Sequence, residues 1–226
     1  MSTTELDALY LTLTLALTTT AVLLVLGTPL AWWLSRQRGQ LSAVIESVVA
    51  LPLVLPPTVL GFYLLLLFAP DTALGRLWQE VTGTQLAFSF SALVIGSVLY
   101  SLPFTIQPLL AAFQRVPQDL LQAAATLGAR PFDQFRSIVL PLSKRGFVTA
   151  ATLSFAHTVG EFGVVLMIGG NIPGETQVLS IALYDAVESL QFDQAHRMAA
   201  WLVVFSLTLL FFVYRGDKAR RLRVAA

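Results

Sequence analysis

Two histidines, His157 and His196, and no cysteine limit the chemistry open to this 226-residue chain. Without thiols there is no disulfide, thiolate metal site or cysteine nucleophile. No GxxxxGK(S/T) phosphate loop occurs, nor a GxSxG elbow or an HExxH metal pair. No catalytic residue, metal site or cofactor is therefore expected, and ATP hydrolysis through a phosphate loop is excluded. The ionisable pair that stands out is His157 and Glu161, alone in an otherwise uncharged stretch from Gly146 to Gly170. Four residues apart, they share one face of a helix, and an ionisable group inside an apolar stretch is a functional candidate. Two roles are open for Glu161. It pairs with His157 or a backbone group and holds a helix break at Gly160 and Gly163. Otherwise it touches an anion directly, which demands a protonated carboxyl because like charges repel.

Pro52, Pro56 and Pro57 cluster in a second uncharged stretch, with Thr58 next to them. Each proline removes a backbone donor and crowds the preceding turn. In lipid such a break needs partners from side chains, neighbouring helices or cavity water, and Thr58 could supply one. A kinked helix lining a pathway and a static packing kink both fit. Gly169, Gly170, Asn171, Pro173 and Gly174 form a tight turn. Its N–H groups could cradle an anion, or the turn simply ends a helix. The candidate pathway residues are thus Pro56, Pro57, Thr58, Gly160, Glu161, Gly163 and Asn171.

The elements that must position these groups follow from composition. Hydrophobic residues make up 56% and charged residues 12%, about half the charge of a soluble domain. Such a chain cannot cover a soluble surface, and it is too apolar to be disordered. A helix needs ~20 apolar residues to cross a bilayer. Five stretches qualify, near 10–34, 47–69, 88–113, 146–168 and 198–214. We therefore expect an all-α, polytopic membrane protein forming a single domain over 1–226. The first stretch is no cleavable signal, because its N-terminal flank is acidic (Glu5, Asp7) and its apolar run is too long. Residues 176–190 read as an amphipathic helix through Val178, Ile181, Ala182 and Asp185, lying on the outer face or packed on the spans; a sixth embedded segment there stays open.

Basic residues set the orientation. One set of flanks, 35–43, 115–145 and 215–226, carries Arg36, Arg38, Arg115, Arg130, Arg136, Lys144, Arg145, Arg215, Lys218, Arg220, Arg221 and Arg223. The other carries only Arg76 and Arg197. The N-terminus is expected outside and the C-terminus in the cytoplasm of a cell inner membrane. With a net charge of +1, no nucleic-acid partner is expected.

The loop at 115–145 then faces the cytoplasm. Asp119 can cap a short helix, Gly128 suits its C-terminus, and Pro131 blocks continuation. Ala123, Ala124 and Ala125 give it a small face that another surface can approach. Gln122-Ala123-Ala124, then Gly128, then Ile138-Val139-Leu140-Pro141 resemble the loop E-A-A-x3-G-x9-I-x-L-P of ABC importer permeases, with glutamine in place of the usual glutamate. The stretches LPLVLPPTVLGFYLL (51–65), GEFGVVLMIGGNIPGET (160–176) and IALYDAV (181–187) resemble molybdate permeases, and the second also resembles sulfate permeases. The resemblance implies a type I ABC importer permease fold. It implies a homodimer served by a separate cytoplasmic ATPase and an extracytoplasmic oxyanion-binding protein. Gln122, Ala123, Ala124, Gly128, Ile138, Leu140 and Pro141 would couple to the ATPase. The implied cargo is molybdate, with tungstate, sulfate or thiosulfate as alternatives. An ATP-independent channel or carrier is the rival of another class, and the odd span count and missing inverted repeat speak against it.

Overall fold

A computed structural model describes residues 3–224, with side chains as far as Phe211; the basic residues Arg215, Lys218, Arg220, Arg221 and Arg223 therefore lie outside the described side chains. Among the described residues all regular structure is helical. The order is α1 (Thr3–Arg36), α2 (Gln40–Ala50), a 3₁₀ turn (Leu51–Leu53), α3 (Pro57–Phe68), α4 (Ala73–Thr82) and α5 (Phe90–Gln114). Then come α6 (Gln118–Thr126), α7 (Pro131–Gln134), a π-helical turn (Phe135–Val139), α8 (Leu140–Leu142) and α9 (Lys144–Val159). The chain closes with α10 (Gly163–Gly169), α11 (Leu179–Glu188) and α12 (Phe192–Val224).

Three helices are long and apolar enough to cross a bilayer: α1, α5 and the Phe192–Phe211 part of α12. Two further candidates are broken. Gln40–Leu53 and Pro57–Phe68 meet at 107°, and Lys144–Val159 and Gly163–Gly169 meet at 59°. Counting each pair as one span gives up to five.

The second stretch is thus a sharp corner rather than a kinked rod, and not all three prolines make it. Pro52 opens the 3₁₀ turn, where its missing donor costs nothing. Pro57 occupies the first turn of α3, a position that proline favours. It pushes Pro56 into the extended conformation, with ψ of 134°. Single prolines elsewhere leave their helices continuous: Pro29 in α1, Pro103 and Pro108 in α5. The Pro-Pro doublet is what separates α2 from α3.

Helices α1, α5 and α9 form the central bundle. A Cβ on Gly146 of α9 would come within 2.4 Å of Ala112, so the glycine lets α9 and α5 approach closely. Buried hydroxyls then bridge the two: Ser101 to Thr158 at 3.1 Å, and Thr105 to Ser154. Helices α3 and α10 pack side by side and lean on α5 through Gly96, whose Cβ would meet Ile168. Leu64, Phe68, Leu93, Val164 and Ile168 are buried in the apolar cluster they share. A second cluster at the opposite end gathers Leu34, Val49, Phe113, Val116, Leu121 and Val139.

Helix α11 packs on the spans and does not cross. Its ten residues make it about 15 Å long, half a bilayer core, which removes the sixth span. Leu179 N–H donates to Thr12 of α1 at 2.8 Å. Ile181 is buried as expected, but Ala186 takes the buried position expected of Asp185, which is exposed. The helix ends in a Schellman pattern, Leu190 N–H to Val187 and Gln191 N–H to Ala186. The left-handed residue is Leu190, with φ of 59° and 72% exposed. Leu190→Gly is expected to stabilise the protein by about 1 kcal/mol, read as a higher unfolding temperature in detergent; an unchanged or lower midpoint would count against this reading of the cap.

Candidate functional site

The corner before α3 and the break between α9 and α10 face one another across a cavity of about 560 Å³. Pro57 and Thr58 line it from α3, Tyr100 from α5, and Ala156 and His157 from the end of α9. Gly160, Glu161, Phe162 and Gly163 supply the break, and Leu166 and Met167 the start of α10. No lysine or arginine is among these lining residues. The two breaks are pressed together: a Cβ on Gly163 would lie 2.6 Å from Pro57 Cβ, and one on Gly61 would lie 2.7 Å from Met167.

Five of the seven candidate pathway residues meet here, and two do not. Pro56 is exposed beside the corner without lining the cavity. Asn171 sits in the turn after α10, where its side chain accepts from Gln177 Nε2 at 2.6 Å. That turn is closed internally. Thr176 donates to Gly169 O at 2.6 Å, and Ile172 O accepts from the backbone of Glu175, Thr176 and Gln177. Tyr100 and Ser97 were not legible in the sequence, because a lone hydroxyl in an apolar helix has no spacing signal.

His157 and Glu161 do not pair. Helix α9 ends at Val159, so the helical spacing no longer holds at Glu161. His157 Nδ1 instead lies 2.8 Å from Ser101 Oγ, and its ring stacks on Phe104 at 4.0 Å. Glu161 is 4% exposed, and neither carboxylate oxygen has a hydrogen-bond partner. Ser97 Oγ is buried and faces that carboxylate closely enough to act on it as a donor, though outside hydrogen-bond geometry. The backbone of Glu161 is what holds the break: its carbonyl accepts from Ser180 of α11 at 2.6 Å.

At the opposite end of the bundle, α6 starts one residue before Asp119, at Gln118, with Pro117 as its cap residue. Asp119 therefore sits in the first turn rather than capping. Leu121 anchors α6 in the second apolar cluster with Phe113 and Val139. Gln122, Ala123 and Gly128 are exposed, and Ala124 is half-buried. Gly128 has φ of +85° and closes a Schellman pattern, Gly128 N–H to Ala125 and Ala129 N–H to Ala124. Beside it Leu127 is 88% exposed, and Phe132 is 72% exposed. Ile138 packs on that second cluster, whereas Leu140 and Pro141 are exposed. Pro141 cannot donate to Ser137 and would crowd its carbonyl; the backbone widens there into the π turn, with Leu140 N–H bonded to Phe135.

Residues 9–217 match the profile of the family described as binding-protein-dependent transport system inner membrane component. The chain belongs to that family. It is similar to the molybdenum transport system permease protein ModB of Azotobacter vinelandii, 53% identical over 96% of each chain. It is also similar to the putative molybdenum transport system permease protein YvgM of Bacillus subtilis, 35% identical over 85% of each chain. Among solved structures it resembles a bacterial ABC transporter involved in the import of the acidic polysaccharide alginate. The TM-score is 0.79 at 16% identity, covering 97% of this chain and 80% of that one. The fold is that of a type I ABC importer permease. The chain is a multi-pass inner-membrane transport component and not itself the ATPase.

Proposed function

We propose that this permease carries molybdate across the inner membrane as one half of a homodimer, driven by a separate cytoplasmic ATPase and fed by an extracytoplasmic binding protein. The observation that carries this reading is the 53% identity to a molybdenum permease over nearly the whole of both chains. The cavity fits it. Thr58 and Tyr100 offer hydroxyls, and no fixed cation lines the route to trap a dianion.

The end carrying α6, with Arg36, Arg115, Arg130, Arg136, Lys144 and Arg145 around it, is then cytoplasmic by the excess of basic residues. Gln122, Ala123, Ala124 and Gly128 are the docking helix, and Ile138, Leu140 and Pro141 begin its connection to the pathway. A displacement of α6 passes through α7, the π turn and α8 into α9, whose far end is the cavity. ATP can drive this only through contacts that differ between the two states.

In proteoliposomes holding permease, ATPase and binding protein, ATP-dependent uptake of labelled molybdate is expected, with tungstate competing well and sulfate poorly. Uptake that persists without the ATPase would favour a channel or carrier. Stronger competition by sulfate than by tungstate would overturn the cargo.

A further inference from the structure

Glu161 is a buried acid with no counter-charge among the described residues. It lines the cavity at 4% exposure, with both carboxylate oxygens unpartnered. The groups that face it are few. From α5 come the buried Ser97 hydroxyl and Tyr100, and from α9 comes His157. The Nδ1 of His157 is committed to Ser101, and its ring packs between Phe104 and Tyr100. From α3 comes only Thr58 as a polar side chain, and α10 lines the cavity with Gly163, Leu166 and Met167. Helix α11 contributes Ser180, bonded to the Glu161 carbonyl, and Tyr184, whose ring packs tilted against Phe162 and whose hydroxyl donates to Glu188.

A carboxylate flanked by hydroxyl oxygens, with no lysine or arginine among the cavity-lining residues, suits a small positive charge. An oxyanion passing the same cavity meets the opposite situation, because an uncompensated carboxylate in a poorly solvated site repels it. We propose that Glu161 and the Ser97 hydroxyl form a binding site for one positive charge, a proton or an alkali cation, and that the oxyanion crosses only while this site is filled. The inference rests on the oxyanion reading above and adds to it a co-bound charge that opens the route.

The test uses the complete transporter in proteoliposomes, with molybdate uptake expressed per ATP hydrolysed so that the ATPase's own responses cancel. One arm raises pH from 6.5 to 8.5 at constant potassium; the other replaces potassium and sodium by choline at constant pH. The parental complex is expected to lose at least about fivefold in one arm: the pH arm for a proton, the cation arm for an alkali ion. Glu161→Gln, which keeps the shape and removes the charge, is expected to transport and to respond to neither arm. A parental complex indifferent to both arms overturns the proposal. So does a Glu161→Gln complex that keeps the parental dependence, which would place the charge at His157 or elsewhere, or one that assembles but does not transport. Should Glu161→Gln fail to assemble, Ser97→Ala decides: it must shift the midpoint of the parental dependence by at least about threefold in concentration, and an unmoved midpoint overturns the site. A pH or cation dependence of molybdate uptake that is indifferent to Glu161 sinks this inference and leaves the cargo standing. Another oxyanion carried in molybdate's place, with the Glu161 dependence intact, does the reverse.

Discussion

Gly163→Ala is expected to remove most uptake, while Gly160→Ala, three residues earlier, is expected to leave it within about twofold of the parental rate. The two glycines flank Glu161 and look alike in the sequence. Their surroundings differ. A Cβ on Gly163 would lie 2.6 Å from Pro57 Cβ, whereas one on Gly160 meets nothing nearer than Ala156 O at 3.7 Å. Pro57 cannot yield, because its ring is locked to the backbone at the start of α3. The added methyl must instead part α3 from α10, and overpacking of this kind costs about 1–3 kcal/mol. A factor of ten in an equilibrium between two transporter states is only about 1.4 kcal/mol. The clash is thus large enough to depopulate any state in which the two breaks touch as they do here by roughly 5- to 150-fold. Gly160 has φ of −87°, which alanine adopts freely. Protein levels and unfolding temperature of both variants separate loss of transport from loss of fold. Parental uptake by Gly163→Ala, or equal damage from both substitutions, would show that the contact of the two breaks does not matter to transport.

That contrast marks where sequence reasoning stops. Long apolar runs announced α1, α5 and α12, because the bilayer demands ~20 apolar residues and little else does. The Pro-Pro doublet announced a break, and GEFG announced another. What no spacing rule could supply was that the two breaks lie against each other, since their contact joins residues over a hundred positions apart, Pro57 and Gly163. Of the partners the sequence offered Glu161, His157 or a backbone group, neither takes its carboxylate. Spacing rules assume one continuous helix, and the 59° bend falls between the two residues. Helix α4 was passed over because it is short and carries Arg76 and Glu80. Its signals were local ones: Thr72 accepting from Gly75 N–H at 3.0 Å, and Gly83 at φ of 73°. The inner loop was the more legible site. Its glycine, prolines and small residues act through local backbone rules, and Gly128 adopts the left-handed conformation that its position called for.

Leu127→Asp is expected to release the ATPase from the permease with no change in the permease's own stability. At 88% exposure Leu127 packs against nothing in this chain, so its replacement leaves the fold intact. A leucine side chain standing in the open at the end of the docking helix contributes about 1.5–3 kcal/mol when docking buries it, enough to anchor an interface. Truncating such an anchor costs more than about 1–2 kcal/mol, and an introduced charge must also be desolvated on docking. Co-purification of the ATPase should therefore fall at least about tenfold, and uptake with it. Gly128→Val reaches the same outcome by a different cause. No atom lies within 4 Å of a Cβ there, so nothing clashes. The penalty is the backbone itself, since a β-branched residue at φ of +85° opposes the conformation that ends α6. Gly128→Asn tolerates that conformation better and should keep most of the uptake. Gln122→Glu should be neutral, because its side chain is exposed and the new carboxylate falls in the middle of α6, clear of the negative end of the helix. If Leu127→Asp still brought the ATPase down at parental yield, α6 would not be the docking helix. The chain of elements from α6 through the π turn to Glu161 would then be scaffolding rather than the route by which ATP reaches the cavity.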